Sequence, residues 1–200
     1  MFKKIIKSYD YSLIAAVVLL SLFGLVMIYS ASMVSAVQRY GQASDFFYQR
    51  QKLFLIGSAV IFIFAALFPY KAMKSNKFLG FIVITSLLGL GGLFIFGYVA
   101  GNAQSWYDFG PLRLQPAEFV KIGVIIYLSA VYAKKQSYIN EFNKGVVPPL
   151  VYLVLVCFLV VIQPDFGTAA IIFLIALTII LSSGMNMRNI LKLAMIGILE

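Results

Sequence analysis

The segment Gly145–Met187 reads GVVPPLVYLVLVCFLVVIQPDFGTAAIIFLIALTIILSSGMNM, and its one charged residue is Asp165, near the middle. A helix needs about 20 predominantly apolar residues to cross the hydrocarbon core of a bilayer. The uncharged runs on the two sides of Asp165 both reach that length, and Gln163-Pro164-Asp165 suits a tight turn between them. The segment therefore predicts two membrane-spanning helices joined by a short turn.

The same pattern recurs towards the N-terminus. Of the 200 residues, 62% are hydrophobic and 12% are charged, whereas about a quarter of the residues of a soluble domain are charged. Three more blocks without Asp, Glu, Lys or Arg are long enough to span, and a fourth is interrupted only by Glu118 and Lys121. We expect helices at Tyr11–Val34, Gln51–Phe68, Phe78–Ala100 and Pro116–Ala133, a fifth from Pro148-Pro149 to Gln163, and a sixth from Asp165 to about Ser183.

A further apolar stretch begins at Leu193 and has reached only eight residues at Glu200, so we expect the chain to be the front part of a longer protein. The predicted fold is an all-α polytopic membrane protein with six complete transmembrane helices and the start of a seventh. All of residues 1–200 fall in a single transmembrane domain, and Asn102–Gln115 is expected to be an outer loop with a turn at Gly110-Pro111.

Basic residues are distributed unequally between the loops. With a cytoplasmic N-terminus, eleven of the 16 Lys and Arg residues fall on the cytoplasmic side and four on the outer side. This positive-inside bias predicts that the N-terminus is cytoplasmic. It also accounts for the net charge of +9, so nucleic-acid binding is not expected. The cytoplasmic residues are Lys3, Lys4, Lys7, Lys71, Lys74, Lys77, Lys134, Lys135, Lys144, Arg188 and Lys192, and the outer residues are Arg39, Arg50, Lys52 and Arg113.

Residue types that commonly form catalytic or metal sites are scarce. The chain has no His and a single Cys, Cys157, so the sequence offers neither a disulfide nor a set of metal ligands. It has no G-x-x-x-x-G-K-[ST] phosphate loop, which argues against an ATPase. The apolar block after Lys7 is longer than the core of a signal peptide, so an uncleaved first helix is expected.

Charged residues inside predicted spans are costly and call for an explanation. Glu118 and Lys121 are three residues apart, on one helix face, and predict an ion pair that faces the interior of the helix bundle. Asp165 is expected to cap the next helix by accepting the amide of Gly167 or Thr168. The predicted topology places all three at one depth near the outer surface. Two interpretations are open at this point: an ion pair that only fixes helix packing, and a polar cavity that opens outward.

Two longer motifs contain these residues. Trp106 and Gly110 followed by Leu114–Lys121 (LQPAEFVK), and later Gln163–Ala169 (QPDFGTA), resemble the signature stretches of the SEDS family, the shape, elongation, division and sporulation proteins. The family patterns are close to W-x-x-x-G-x-x-x-x-Q-P-S-E-F-x-K and Q-P-D-[LF]-G-T. The chain departs from them at Ala117, where Ser is usual, and at Asp108, where an apolar residue is commoner. It resembles division-type members from Gram-positive bacilli, over about their N-terminal half.

The resemblance implies a peptidoglycan glycosyltransferase in the bacterial cytoplasmic membrane, at the division septum. Such enzymes polymerise lipid II, a disaccharide-pentapeptide on undecaprenyl pyrophosphate, at the outer membrane face. A class B penicillin-binding protein and other division membrane proteins are the implied partners. The carboxylate favoured as catalytic base in the family lies beyond Glu200, so no catalytic residue is assigned. The candidates for the substrate cavity are Glu118, Lys121, Asp165, Gln115, Arg113 and Trp106.

Residues 1–200 alone are expected not to polymerise lipid II, because one wall of the cavity and the base are missing from them. No cofactor is identified, and a requirement for a divalent cation is left open. Two alternatives to the polymerase also stay open. One is a flippase that moves lipid II across the membrane, and the other is a non-catalytic scaffold of the division machinery. The sequence does not distinguish division from elongation or sporulation.

Overall fold

The computed structural model describes residues 9–68, 71–100, 103–110, 113–139, 141 and 145–186. They form two compact units divided after Phe68, here called the N-terminal and the C-terminal unit. The predicted start of a seventh helix, Leu193–Glu200, lies outside the described residues.

The N-terminal unit is a pair of antiparallel helices, α1 (Tyr11–Tyr40) and α2 (Phe46–Leu67). Asp10 caps α1, as expected, by accepting hydrogen bonds from the amides of Ser12 (2.9 Å) and Leu13 (3.1 Å). The sequence predicted that α1 would end at Val34, and this is wrong. The helix continues to Tyr40, where Gly41 adopts a left-handed φ of 60° and donates to the carbonyls of Ala36 and Val37.

α2 also differs from its prediction. It begins at Phe46, five residues before the expected Gln51, and it ends at Leu67. Contacts at both ends hold it against α1. At one end the rings of Tyr29 and Tyr48 meet edge to face at 5.5 Å, and at the other the Tyr9 hydroxyl donates to the carbonyl of Ala66. The unit is therefore a helical hairpin.

The C-terminal unit contains four principal helices that alternate in direction: α3 (Asn76–Gly91), α5 (Pro116–Lys134), α6 (Val147–Ile162) and α7 (Phe166–Ser182). Short 3₁₀ turns lie at Ala72–Lys74 and Gln136–Tyr138, and a one-turn helix α4 occupies Leu93–Phe96. The Lys134 Nζ donates to Asn76 Oδ1 (2.6 Å), which joins the end of α5 to the start of α3.

The segment before α5 differs from the prediction of a helix through Ala100 followed by a loop. The expected helix through Ala100 stops at Phe96, and three short antiparallel strands follow: β1 (Tyr98–Ala100), β2 (Ala103–Asp108) and β3 (Arg113–Leu114). Between β2 and β3, Gly110 adopts a φ of 81°, which favours glycine. Pro111, the second residue of the expected turn, lies outside the described residues. Strand pairing satisfies backbone groups that an irregular loop would leave to water.

The core of the C-terminal unit lies between α3, α5, α6 and α7. Its fully buried side chains include Leu90, Val124, Leu128, Val156 and Ile172. The helices approach closely at Gly123, where an added Cβ would lie 3.0 Å from Ile82 Cγ2. Among the residues that the structure describes, four helical segments are long and apolar enough to cross a membrane: Tyr11–Tyr40, Phe46–Leu67, Asn76–Phe96 and Pro116–Lys134. Val147–Ile162 and Phe166–Ser182 are shorter apolar helices.

Candidate functional site

One end of the C-terminal unit carries β1–β3 and the first residues of α5 and α7, and it is called the sheet end below. A single hydrogen bond joins the two helix starts, because Gln115 Nε2 donates to Asp165 Oδ2 at 2.8 Å. The residues are 50 positions apart in the sequence. A direct contact thus joins the start of α5 to the turn before α7, and their common depth in the membrane stays a prediction.

Asp165 also caps α7, as expected. Its Oδ1 accepts from the amide of Thr168 at 3.2 Å, while Oδ2 binds Gln115. The two oxygens of one carboxylate therefore satisfy an orphan helix amide and fix a side chain from another helix. Capping and cross-linking are compatible because they use different oxygens.

Gln163 holds the turn between α6 and α7 against the end of α3. Its Nε2 donates to the carbonyl of Leu90 at 2.9 Å, near the end of α3. The Gln163 side chain is 2% exposed, and its Oε1 has no partner among the described residues. Sequence reasoning placed Gln163 in a motif without giving it a role. Its position immediately before Pro164-Asp165 was the available signal.

Glu118 and Lys121 form the predicted ion pair, with Lys121 Nζ 2.8 Å from Glu118 Oε1. The Lys121 side chain is 19% exposed, whereas that of Glu118 is 55% exposed. Most of the Lys121 side chain is thus buried and most of the Glu118 side chain is not, so the expectation that both would face the bundle interior holds only for Lys121. The hydrogen bond between the two charged groups is itself exposed.

Arg113 has two partners at the sheet end. Its Nε lies 3.2 Å from Asp108 Oδ2, and its guanidinium carbon lies 4.9 Å from the centre of the Tyr98 ring. The family resemblance left the role of Asp108 in doubt, and the structure makes it the ion-pair partner of Arg113. Trp106 lies on β2, half-buried and in register with Tyr98.

Tyr107 ties the sheet to α3. Its hydroxyl donates to the carbonyl of Gly89 at 3.0 Å. Burial raises the pKa of Tyr107 above its ordinary value of 10.0, so the hydroxyl stays protonated and remains a donor at neutral pH. An added Cβ at Gly92 would collide with this hydroxyl oxygen, so a larger residue there would require the Tyr107 side chain to move.

Five of the six predicted site residues thus lie in three separate pairs at one end of the unit, and Asp108 completes the third: Gln115–Asp165, Glu118–Lys121 and Arg113–Asp108. Within the described part of the chain, no hydrogen bond links one pair to another, and Trp106 bonds to none of them. No three His, Cys, Asp or Glu side chains of the described residues are grouped as a metal site. Chemically, the arrangement offers fixed charges and dipoles for a polar or anionic group.

Comparison with known proteins identifies the family. A family model described as "Cell cycle protein", covering FtsW, RodA and SpoVE, matches residues 10–200. The chain is 55% identical over 197 residues to the "Probable peptidoglycan glycosyltransferase FtsW" of Bacillus subtilis (strain 168), covering 98% of this chain and 49% of that protein. It is 32% identical over 165 residues to the protein of the same name from Taylorella equigenitalis, covering 82% and 45%.

Two solved structures share the fold. The crystal structure of the rod shape determining protein RodA of Thermus thermophilus matches 96% of this chain and 60% of its own, with a TM-score of 0.71 and 21% identity. A structure titled "Structural coordination of polymerization and crosslinking by a peptidoglycan synthase complex" matches 76% of this chain and 44% of its own, with a TM-score of 0.55 and 22% identity.

The chain spans about half the length of the curated relatives it matches. Its apolar helices and its RodA-like fold make it a multi-pass α-helical membrane protein. With the family model matched from residue 10 to residue 200, the chain belongs to the FtsW/RodA/SpoVE family of cell cycle proteins.

Proposed function

We propose that the whole protein is a peptidoglycan glycosyltransferase that polymerises lipid II at the outer face of the cytoplasmic membrane. The observation that carries this proposal is the 55% identity, along 98% of the chain, to a Bacillus subtilis protein named as a probable enzyme of this kind. The matched region covers 98% of the chain, and the same chemistry is therefore the simplest inference.

The proposed topology has six complete spans and a cytoplasmic N-terminus. The excess of Lys and Arg in alternate loops supports it. In this topology the sheet end of the C-terminal unit faces outward, together with Arg113 and Asp165. Lipid II is polymerised on that side, so the paired residues would meet the sugar-pyrophosphate part of the substrate.

The reaction needs two kinds of assistance. A hydroxyl of one saccharide attacks the anomeric carbon of another, and undecaprenyl pyrophosphate leaves. A carboxylate that accepts the hydroxyl proton speeds the attack, and cationic groups stabilise the charge that develops on the leaving pyrophosphate. We propose that Lys121 contributes to the second task, with Glu118 holding its ammonium in place.

Each carboxylate at the sheet end already accepts a hydrogen bond from a neighbouring side chain. Asp108 accepts from Arg113, Glu118 from Lys121, and Asp165 from Gln115. Such carboxylates suit the positioning of other groups, which agrees with the proposal that the base is supplied by a residue beyond Glu200. Gln115 and Asp165 would then fix the relative position of α5 and α7 beneath the substrate.

The proposed partners and cellular location rest on the similarity to known proteins. We propose a class B penicillin-binding protein as the transpeptidase partner, with other division membrane proteins, at the division septum. The fold shared with a member of a peptidoglycan synthase complex supports a joint action of polymerisation and crosslinking. The identity to an FtsW protein favours division over elongation.

The test is a polymerisation assay with the purified full-length protein and labelled lipid II, with products resolved by size. The assay is run with and without a divalent cation, which decides whether one is required. Glycan strands longer than the substrate are expected. Movement of intact lipid II between the leaflets of a vesicle without strand growth would instead support a flippase. Neither activity, in a protein that still binds the transpeptidase, would support a scaffold.

A further inference from the structure

A groove at the end of the N-terminal unit has no place in the proposed reaction. It has a volume of about 360 Å³ and lies between the last turns of α1 and the start of α2. Its lining combines small side chains, an arginine and two aromatic rings. The lining residues are Ile28, Ala31, Ser32, Ser35, Arg39, Tyr40 and Phe47.

The length of α1 determines the depth of this groove. Thirty residues at about 1.5 Å each make a helix of about 45 Å, whereas the hydrocarbon core is about 30 Å thick. If α1 enters the hydrocarbon near Tyr11, it leaves about 20 residues later, and the last ten residues project beyond. Ala31–Tyr40 therefore lie at the level of the lipid headgroups and just outside them. The edge-to-face pair of Tyr29 and Tyr48 agrees, because tyrosines are enriched at that boundary.

The groove is continuous with one face of α1. Ser32, Ser35 and Arg39 are separated by three and four residues, so they share that face. Helical side chains lean towards the N-terminus of their helix, and the Arg39 guanidinium is therefore directed back over Ser35, towards the headgroups. Tyr40 and Phe47 close the side of the groove with their rings edge to face at 5.4 Å.

Arg39 is available for a ligand. It is exposed, and it forms no hydrogen bond or ion pair within the part of the chain that the structure describes. The carboxylate on this end of the unit, Asp45, instead accepts from Gln49 Nε2 at 3.0 Å. Arg39, Arg50 and Lys52 outnumber Asp45 at this end, which favours an anion.

We propose that this groove binds the phosphate of an anionic lipid headgroup. A guanidinium presents a planar fork of donors that matches phosphate oxygens, and the Ser35 and Tyr40 hydroxyls add donors beside it. The small side chains of Ala31, Ser32 and Ser35 leave room for the headgroup against the helix. The groove opens at the depth where lipid phosphates lie, whichever way the protein is oriented. The proposal does not depend on the glycosyltransferase activity.

The experiment measures retention of phosphatidylglycerol by the purified full-length protein in native mass spectrometry. Arg39→Gln is expected to weaken binding about tenfold, since a charge-assisted hydrogen bond contributes about 1.4 kcal/mol or more. Lys52→Gln is the matched control, because it removes the same charge from the same end outside the groove, and it is expected to change binding less than about twofold. Ser35→Leu fills the groove and keeps Arg39, and it is expected to weaken binding as much as Arg39→Gln. Arg39→Lys keeps the charge without the fork and is expected to give an intermediate loss.

Three results would overturn the proposal. Equal losses in Arg39→Gln and Lys52→Gln would show a diffuse attraction to the whole surface. Unchanged binding in Ser35→Leu would place the lipid elsewhere. Displacement of phosphatidylglycerol by an equal concentration of inorganic pyrophosphate would make the ligand a soluble phosphate and not a headgroup. If Arg39→Gln does not accumulate, phosphatidylglycerol retention by Ser35→Leu and Arg39→Lys tests the proposal.

Discussion

The two units are built from equally apolar helices, yet only the C-terminal unit has an extensive buried core. In α1 and α2 the one buried side chain among the described residues is Ala36, and large residues such as Leu20 are mostly exposed. In the C-terminal unit, Leu128 and Val156 are fully buried. Apolar surface in a bilayer costs nothing when it faces lipid, so the apolar content of a helix does not reveal whether it packs.

Polar groups distinguish the units more clearly. In the N-terminal unit the hydroxyls of Ser21 and Ser58 donate to carbonyls of their own helix. In the C-terminal unit, side chains bond between helices, as in Tyr152–Ser86 and Gln163–Leu90. Such bonds fix helices in one arrangement. We conclude that the C-terminal unit is the rigid support for the paired residues at the sheet end.

The largest expected effect concerns the ion pair. Lys121→Met in the full-length protein keeps the side-chain length and removes the charge, so polymerisation of lipid II should fall at least about a hundredfold. Lys52→Met is the control in the N-terminal unit, and its activity should stay near that of the wild type. The rate of polymerisation and the length of the glycan strands are measured for both variants. Equal activity of the two variants would contradict the functional contrast between the units. Membrane accumulation is measured in parallel, so that a loss of activity is distinguished from a loss of folded protein.

The second prediction compares core and lipid-facing leucines. Leu128→Ala should lower the free energy of unfolding by about 2 kcal/mol, through the cavity that it leaves. Leu20, which is 70% exposed, should tolerate alanine within about 0.5 kcal/mol. Unfolding by steric trapping in bicelles measures both values. A large loss at Leu20 would show that α1 is packed as tightly as α5.

The third prediction concerns two glycines of the C-terminal unit. A Cβ at Gly97 would collide with the Leu93 carbonyl oxygen, so Gly97→Ala should destabilise by about 1.5 kcal/mol. Gly80, on α3, has nothing within 4 Å, and Gly80→Ala should be neutral or slightly stabilising because alanine favours helix. Thermal unfolding monitored by fluorescence separates the variants. The reverse order would mean that the turn from α4 into β1 has another geometry.

The smallest effect separates bonds between helices from bonds within one helix. Tyr152→Phe removes a buried hydroxyl that donates to Ser86 Oγ at 3.0 Å, and the expected loss is about 0.6 kcal/mol. Ser58→Ala removes a hydroxyl that bonds only the Leu55 carbonyl of its own helix, and the expected change is close to zero. Steric trapping resolves a difference of this size when the two variants are measured side by side.

Hydropathy predicted the helices well where caps or prolines mark their ends. Asp10, Pro116 and Asp165 set the starts of α1, α5 and α7 as expected. The end of α1 was not predicted, although Gly41 lies there in the left-handed region, in which glycine commonly ends helices. The sheet was missed because strand pairing is a contact between residues distant in sequence, and the apolar run through Ala100 also fitted a helix.

The candidate site was predictable to a similar degree. Residues three apart on a helix meet locally, so the Glu118–Lys121 pair followed from spacing. The Gln115–Asp165 hydrogen bond joins residues 50 positions apart. The sequence predicted that the two helix starts lie at one depth, but not that these side chains meet. The partnership of Arg113 with Asp108 depends on the register of β2 and β3, which the sequence did not reveal. The sequence thus identifies the candidate site residues, and tertiary packing determines which side chains they contact.

The most direct test of whether the sheet end performs chemistry, and does not merely fix packing, exchanges the two charges of the ion pair. Glu118→Lys combined with Lys121→Glu preserves an ion pair at the same spacing while moving the cation to the more exposed position. Its polymerisation of lipid II is measured beside that of the wild type and of Lys121→Met. We predict that the exchanged protein accumulates in the membrane and unfolds like the wild type, yet polymerises at least about a hundredfold more slowly. Polymerisation restored to the wild-type rate would contradict the account and leave the pair a purely structural role.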